Sequence, residues 1–127
     1  MLPCVVLMNH SAPFLCTTQR RFKTEPYDLY LYHQSETSVA EIAQLPPAVI
    51  VLARRYGFPA TDGDFIHKFR QLSLLKAVPI ILSLIEGMQL PIVETGVTVV
   101  ISQPDFSDIQ DIIDAVHGIL HSTASVN

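Results

Sequence analysis

Short apolar runs recur along this chain, separated by stretches whose apolar positions fall at helical spacing. "CVVLM" (4–8) reads as a first strand. "APFLCTTQRRFK" (12–23) reads as a helix capped by Ser11, with Phe14, Leu15, Thr18 and Phe22 on one face. "YDLYLYH" (27–33) alternates as a second strand should. "SVAEIAQL" (38–45) opens with Ser38 and Glu41 at capping-box spacing and is stopped by Pro46-Pro47. "AVIVLA" (48–53) is a near-continuous β-branched run, the mark of a strand buried on both faces.

A helix is predicted from Asp62 to Lys76, with Phe65, Ile66, Phe69, Leu72 and Leu75 inward. "VPIILSL" (78–84) and "VTVVIS" (97–102) read as the fourth and fifth strands, with a short helix broken by Gly87 and Pro91 between them. The last helix is the clearest. Phe106, Ile109, Ile112, Ile113, Val116, Ile119 and Leu120 form one arc, Asp105 sits at the N-cap, and Asp108 lies in the first turn. One domain over residues 1–121 is expected, followed by a polar tail or linker at 122–127.

Five strands alternating with five helical segments predict an α/β fold: a doubly wound, three-layer parallel sheet with right-handed crossovers. Ligands in such sheets bind beyond the carboxyl ends of the strands. The residues placed there are Asn9 and His10, Arg54 and Arg55, Ser83 and Leu84, and Gln103. There is no GxGxxG and no P-loop, which argues against a nucleotide site.

Charge changes the picture. The net charge is −4, unsuited to direct nucleic-acid binding. All eight basic residues lie at or before Lys76, whereas residues 77–127 carry six acids and no Lys or Arg. Two cysteines, Cys4 and Cys16, are too few for a disulfide framework; both fall in apolar stretches and read as small core residues. No leader, bilayer-spanning run or metal-ligand spacing is apparent, so a reduced cytoplasmic protein with no membrane partner, cofactor or metal is expected. His10 beside Ser11 or Cys16 lacks an orienting third group, and His117 and His121, four apart, lack a third ligand. Tyr27, Tyr30 and Tyr32 read as strand packing.

The pieces "FPATDGDFIHKFR" (58–70), "VPIILS" (78–83) and "VVISQPDFSDIQDIIDAV" (99–116) occur in the order and spacing of a known family. Over residues 3–121 the chain resembles the receiver domain of two-component response regulators. The resemblance implies a CheY-like, flavodoxin-like sheet of strand order 2-1-3-4-5. A working receiver has an acidic pair after strand one, a phosphoacceptor Asp after strand three, a Ser or Thr after strand four and a Lys before Pro after strand five. Here the acidic pair falls on Asn9 and His10. The phosphoacceptor falls on Arg55 counting back from Pro59, or on Ala53 counting forward from Pro47; residues 42–61 contain no Asp or Glu. The hydroxyl position falls on Leu84, with Ser83 one residue early, the Lys on Gln103, and the switching aromatic near Val100.

Acyl-phosphate chemistry needs a carboxylate nucleophile, a magnesium ion held by further carboxylates, and a cation on the phosphoryl oxygens. An amide, an imidazole and guanidiniums supply none of the anionic parts. The resemblance is therefore to a degenerate, pseudo-receiver member, non-enzymatic and acting through protein contacts in signalling or clock-type regulation. Arg54 or Arg55 has three readings: a lock hydrogen-bonded to Asn9, Gln103 or strand-end carbonyls, a solvated pair, or an anion site of a ligand sensor. In receivers the face around the last strand and last helix meets partners. Here Glu94, Asp108, Asp111 and Asp114 make it acidic, which suits a basic protein partner or a weak head-to-tail homo-oligomer.

Overall fold

The computed structural model describes residues 2–54, 62–89, 96–103 and 108–125, with only the backbone of Asp62 and of residues 122–125. Its elements are β1 (Cys4–Asn9), α1 (Ala12–Phe22), β2 (Asp28–His33), α2 (Glu36–Ala43), β3 (Val49–Ala53), α3 (Asp62–Gln71), β4 (Ile80–Ile85), β5 (Val97–Ser102) and α4 (Asp108–Ser125). The strands form one parallel sheet in the order β2-β1-β3-β4-β5, as expected.

Alternation along the strands sends side chains to two separate cores. Val5, Leu7, Val49, Val51 and Ile81 pack under α1 and α4, against Phe14, Phe22, Ile112 and Val116. Val6, Met8, Ile50, Leu52 and Leu82 pack under α2 and α3, against Ile42, Phe65, Ile66 and Phe69. Residues 5–8 and 49–52 are wholly buried because helices cover both faces. Each such large apolar side chain contributes roughly 1.5–3 kcal/mol by leaving water.

Several boundaries differ from the expected ones. Ser38 does not cap α2: the helix starts at Glu36 after Ser35, and the buried Ser38 Oγ donates instead to the His33 carbonyl at 2.9 Å, tying the helix to the end of β2. Helix α3 stops at Gln71, because Arg70 folds its guanidinium over the following turn and donates to the carbonyls of Leu75 (3.3 Å), Val78 (2.7 Å) and Gly96 (3.3 Å). Leu75 still reaches the core, from a turn. Residues 86–87 form a turn with Gly87 at φ +94°, not the start of a helix, and 88–89 are not helical; residues 90–94 of that expected helix lie outside the described residues, as do Asp105 and Phe106. Strand β4 begins after Pro79, two residues later than expected. The backbone of α4 runs on to Ser125, into the expected tail. Cys16 is exposed on α1, not a core residue, while Cys4 is half-buried; both are free thiols. Burial pushes the Cys4 thiol up, and Asp28 beside it adds to the rise.

Among the described residues no helix is long and apolar enough to cross a membrane.

Candidate functional site

The carboxyl end of the sheet is organised by Asn9. The last residue of β1 is 1% exposed, so its amide must find partners inside the protein. Its Nδ2 donates to the carbonyl of Ala53, the last residue of β3. Its Oδ1 accepts from the Ser11 amide at 2.7 Å, closing an Asx turn, and Ser11 Oγ in turn caps α1 by accepting from Phe14 N at 3.3 Å. The Asn9 main-chain carbonyl accepts from Gln34 N at 3.1 Å, just past β2. One residue thus joins the ends of three strands to the start of α1. His10, half-buried, sets its ring edge-on to His33, with centroids 5.6 Å apart.

Beyond β3, Arg54 N donates to the Ser83 carbonyl at 3.0 Å, and the Arg54 guanidinium donates to the Gln89 carbonyl beyond β4. Ser83 lies beside Ala53 in the register and is buried. Its side chain shares the α1/α4 face with those of Asn9 and Ala53, whereas Leu84 points the other way, into the α2/α3 core. Ser102 ends β5 and donates from Oγ to Asp111 Oδ2 at 2.7 Å, fastening α4 to the strand. Gln103 is exposed one residue further. Three strand spacings separate β5 from β1, about 14 Å.

The structure therefore gathers Asn9, Ala53, Arg54 and Ser83, and leaves Gln103 on the far edge. Arg55 and Glu94 lie outside the described residues. The acidic partner face is depleted by internal bonds. Asp108 is 3% exposed and cannot meet a partner. Asp111 is taken by Ser102. Asp114 is exposed but accepts from Gln110 Nε2 at 3.0 Å, and Gln110 Oε1 accepts from Arg21 of α1 at 2.7 Å. Gln110 thus stands between Arg21 of α1 and Asp114 of α4, bonded to both.

Sequence reasoning missed a second polar cluster. Tyr27 OH meets His117 Nδ1 at 2.5 Å, and His117 Nε2 meets Glu25 Oε1 at 3.3 Å. A carboxylate only accepts, so Nε2 carries a proton, and in the neutral imidazole Nδ1 accepts from the phenol. Burial, helped by the Glu25 charge, pushes the Tyr27 phenol up. A signal was present in His117, one of two histidines on α4, but its partners lie about 90 residues away in sequence.

A receiver-type magnesium ion takes anionic oxygen ligands. The Asn9 amide offers one neutral oxygen, already accepting from Ser11, and Arg54 brings a positive charge to the next strand end. These residues do not fit the metal. Among the described residues no group of three His, Cys, Asp or Glu is placed to hold an ion.

A five-stranded parallel sheet in this order, with paired helices on each face, is the flavodoxin-like fold of CheY. Among solved structures the chain is similar to a response regulator receiver modulated diguanylate cyclase from Pelobacter carbinolicus, at 15% identity and TM-score 0.70, over 98% of this chain and 97% of that one. It is likewise similar to the chemotaxis protein CheY4 of Vibrio cholerae, at 14% identity and TM-score 0.72, over 94% and 99%. A third is a response regulator receiver protein from Sinorhizobium medicae, at 14% identity and TM-score 0.66, over 94% and 95%. No family model and no curated protein matches the chain.

Proposed function

We propose that this chain is a receiver-like signalling module that takes up no phosphoryl group and acts through protein contacts. The observation that carries the reading is the Asn9 amide, buried and bonded on both of its polar atoms where a receiver would place metal-binding carboxylates. No carboxylate lies in β3 or directly after it either, since residues 42–61 contain none. The nucleophile and the metal ligands of acyl-phosphate formation are thus both missing. The likeness to receiver structures supports two-component signalling as the setting. With the switch chemistry gone, exposed surface is what remains to act.

The ligand-sensing alternative draws on Arg54 and Arg55. Arg54 already donates to the Gln89 carbonyl, which favours its role as a clamp on the turn after β4 over an anion site. The test is incubation of the purified chain with acetyl phosphate and magnesium, followed by intact mass spectrometry. The mass is expected to stay unchanged; a stoichiometric phosphoryl adduct overturns the reading.

A further inference from the structure

Away from the strand ends, a cleft of about 410 Å³ opens where the end of α1 meets the start of the edge strand β2. Its lining is Gln19, Arg20, Phe22, Lys23, Tyr27 and Leu29. The floor is apolar: Phe22 and Tyr27 are almost wholly buried, their ring centroids 6.5 Å apart, with Leu29 half-buried beside them. The rim is cationic. Arg20 and Lys23 are exposed, and neither side chain makes a hydrogen bond or ion pair among the described residues, unlike Arg21, which is committed to Gln110. No acid occurs before Glu25, which is turned toward His117; Asp28, between Tyr27 and Leu29, is sent by strand alternation to the other face of the sheet, beside Cys4.

From this arrangement we propose that the α1–β2 cleft docks an acidic peptide segment of a protein partner, one apolar side chain on the Phe22–Tyr27 floor and flanking carboxylates on Arg20 and Lys23. The inference rests on the reading that the module works through protein contacts, and it names the partner's chemistry. Charge complementarity selects the occupant: a rim carrying two free cations and no acid attracts an acidic segment and repels a basic one. The apolar floor distinguishes it from a phosphate-tracking surface, which needs a longer basic stripe and no pocket. An apolar anchor flanked by charges is also how peptide grooves obtain affinity and specificity together.

The test is fluorescence anisotropy with a labelled peptide that places one Leu between runs of Glu and Asp. The comparisons are its Gln/Asn counterpart, phosphatidylserine vesicles and a single-stranded oligonucleotide. The acidic peptide is expected to bind, and the doubly substituted chain Arg20→Glu/Lys23→Glu to bind it about tenfold more weakly. Raising salt from about 50 to about 500 mM weakens binding in the wild type and not in the variant. Thermal melts confirm that the variant folds; the single Lys23→Gln, at an exposed position, serves if it does not, with a smaller loss. Equal binding of the neutral peptide, unchanged affinity in the variants, or preference for vesicles or oligonucleotide overturns the proposal. So does self-association of the chain that these substitutions abolish. None of these results alters the acetyl phosphate outcome, so the two readings fail separately.

Discussion

Asn9 is the residue on which the strand-end corner turns. An Asp there, as in a working receiver, would aim a carboxylate oxygen at the Ala53 carbonyl in place of a donor. The side-chain partners of Asn9 are the Ala53 carbonyl and the Ser11 amide, neither of them a cation that would offset it. Asn9→Asp is therefore expected to lower stability by roughly 2–4 kcal/mol at pH 7. The sign of its pH dependence follows. Burial raises the folded-state pKa of the new carboxyl above its unfolded value of about 3.9. Its protonated form, which donates to Ala53, keeps its stability below that value, and the loss grows as pH rises through the folded pKa. Urea denaturation of both proteins at pH 4.5 and 7 checks this; a variant equally stable at both pH values contradicts the assigned donor. The Asn9 lock was within reach of the sequence, since Asn-x-Ser before a helix is an Asx-turn signature. The expectation of an arginine lock looked to charge first. The amide needed only geometry.

At the scale of elements, α4 is held to the rest of the fold by three sets of polar contacts as well as by its apolar arc. Ser102–Asp111 fastens its first turns to β5, Arg21–Gln110 its flank to α1, and Tyr27–His117–Glu25 its later turns to the α1–β2 connection. The periodicity of Ile109, Ile112, Ile113 and Val116 made the helix legible. The three contacts were not: two join residues about ninety positions apart, and Ser102–Asp111, nine apart, spans a strand end and a helix with no shared motif. For the same reason α3 was read too long. Leu72 and Leu75 keep helical spacing, and only the long reach of Arg70 to Val78 and Gly96 shows that the chain has already turned. Tyr27→Phe removes one bond of the α4 set and is expected to cost about 0.5–1.5 kcal/mol at neutral pH. The raised Tyr27 pKa gives that site an alkaline signature. Its contribution is complete below the unfolded phenol value, about 10, and fades as pH rises through the folded value. Above pH 10 the wild type should lose stability more steeply than the Phe variant, by denaturant titration; parallel curves would dissociate Tyr27 from α4 anchoring.

For the whole molecule, what was legible followed from burial. Strands covered on both faces write themselves as β-branched runs, so the sheet, its parallel sense and the two-sided helix layers could be read from residues 48–53 and 78–84 before any coordinates. Surface was harder. The acids of the second half looked like a binding face because sequence counts charges without showing what they touch; Asp108 is buried, and Asp111 and Asp114 each accept a hydrogen bond from a neighbouring side chain. The same accounting decides how the fold responds to metal. A divalent ion stabilises a protein by mass action only when the native state holds it: 10 mM ion at a Kd of about 1 mM adds roughly 1.4 kcal/mol. A strand-end corner built from Asn9, Ala53, Arg54 and Ser83 presents no anionic pair to do so. The melting temperature is therefore expected to be the same in 10 mM magnesium chloride as in sodium chloride of about equal ionic strength, by differential scanning calorimetry. Restoring a carboxylate with Asn9→Asp should not create a response, because Arg54 still occupies the neighbouring strand end. A magnesium-dependent rise of several degrees in the wild type would mean that acids elsewhere in the fold converge on a site the strand ends do not provide, and would reopen phosphoryl chemistry for this chain.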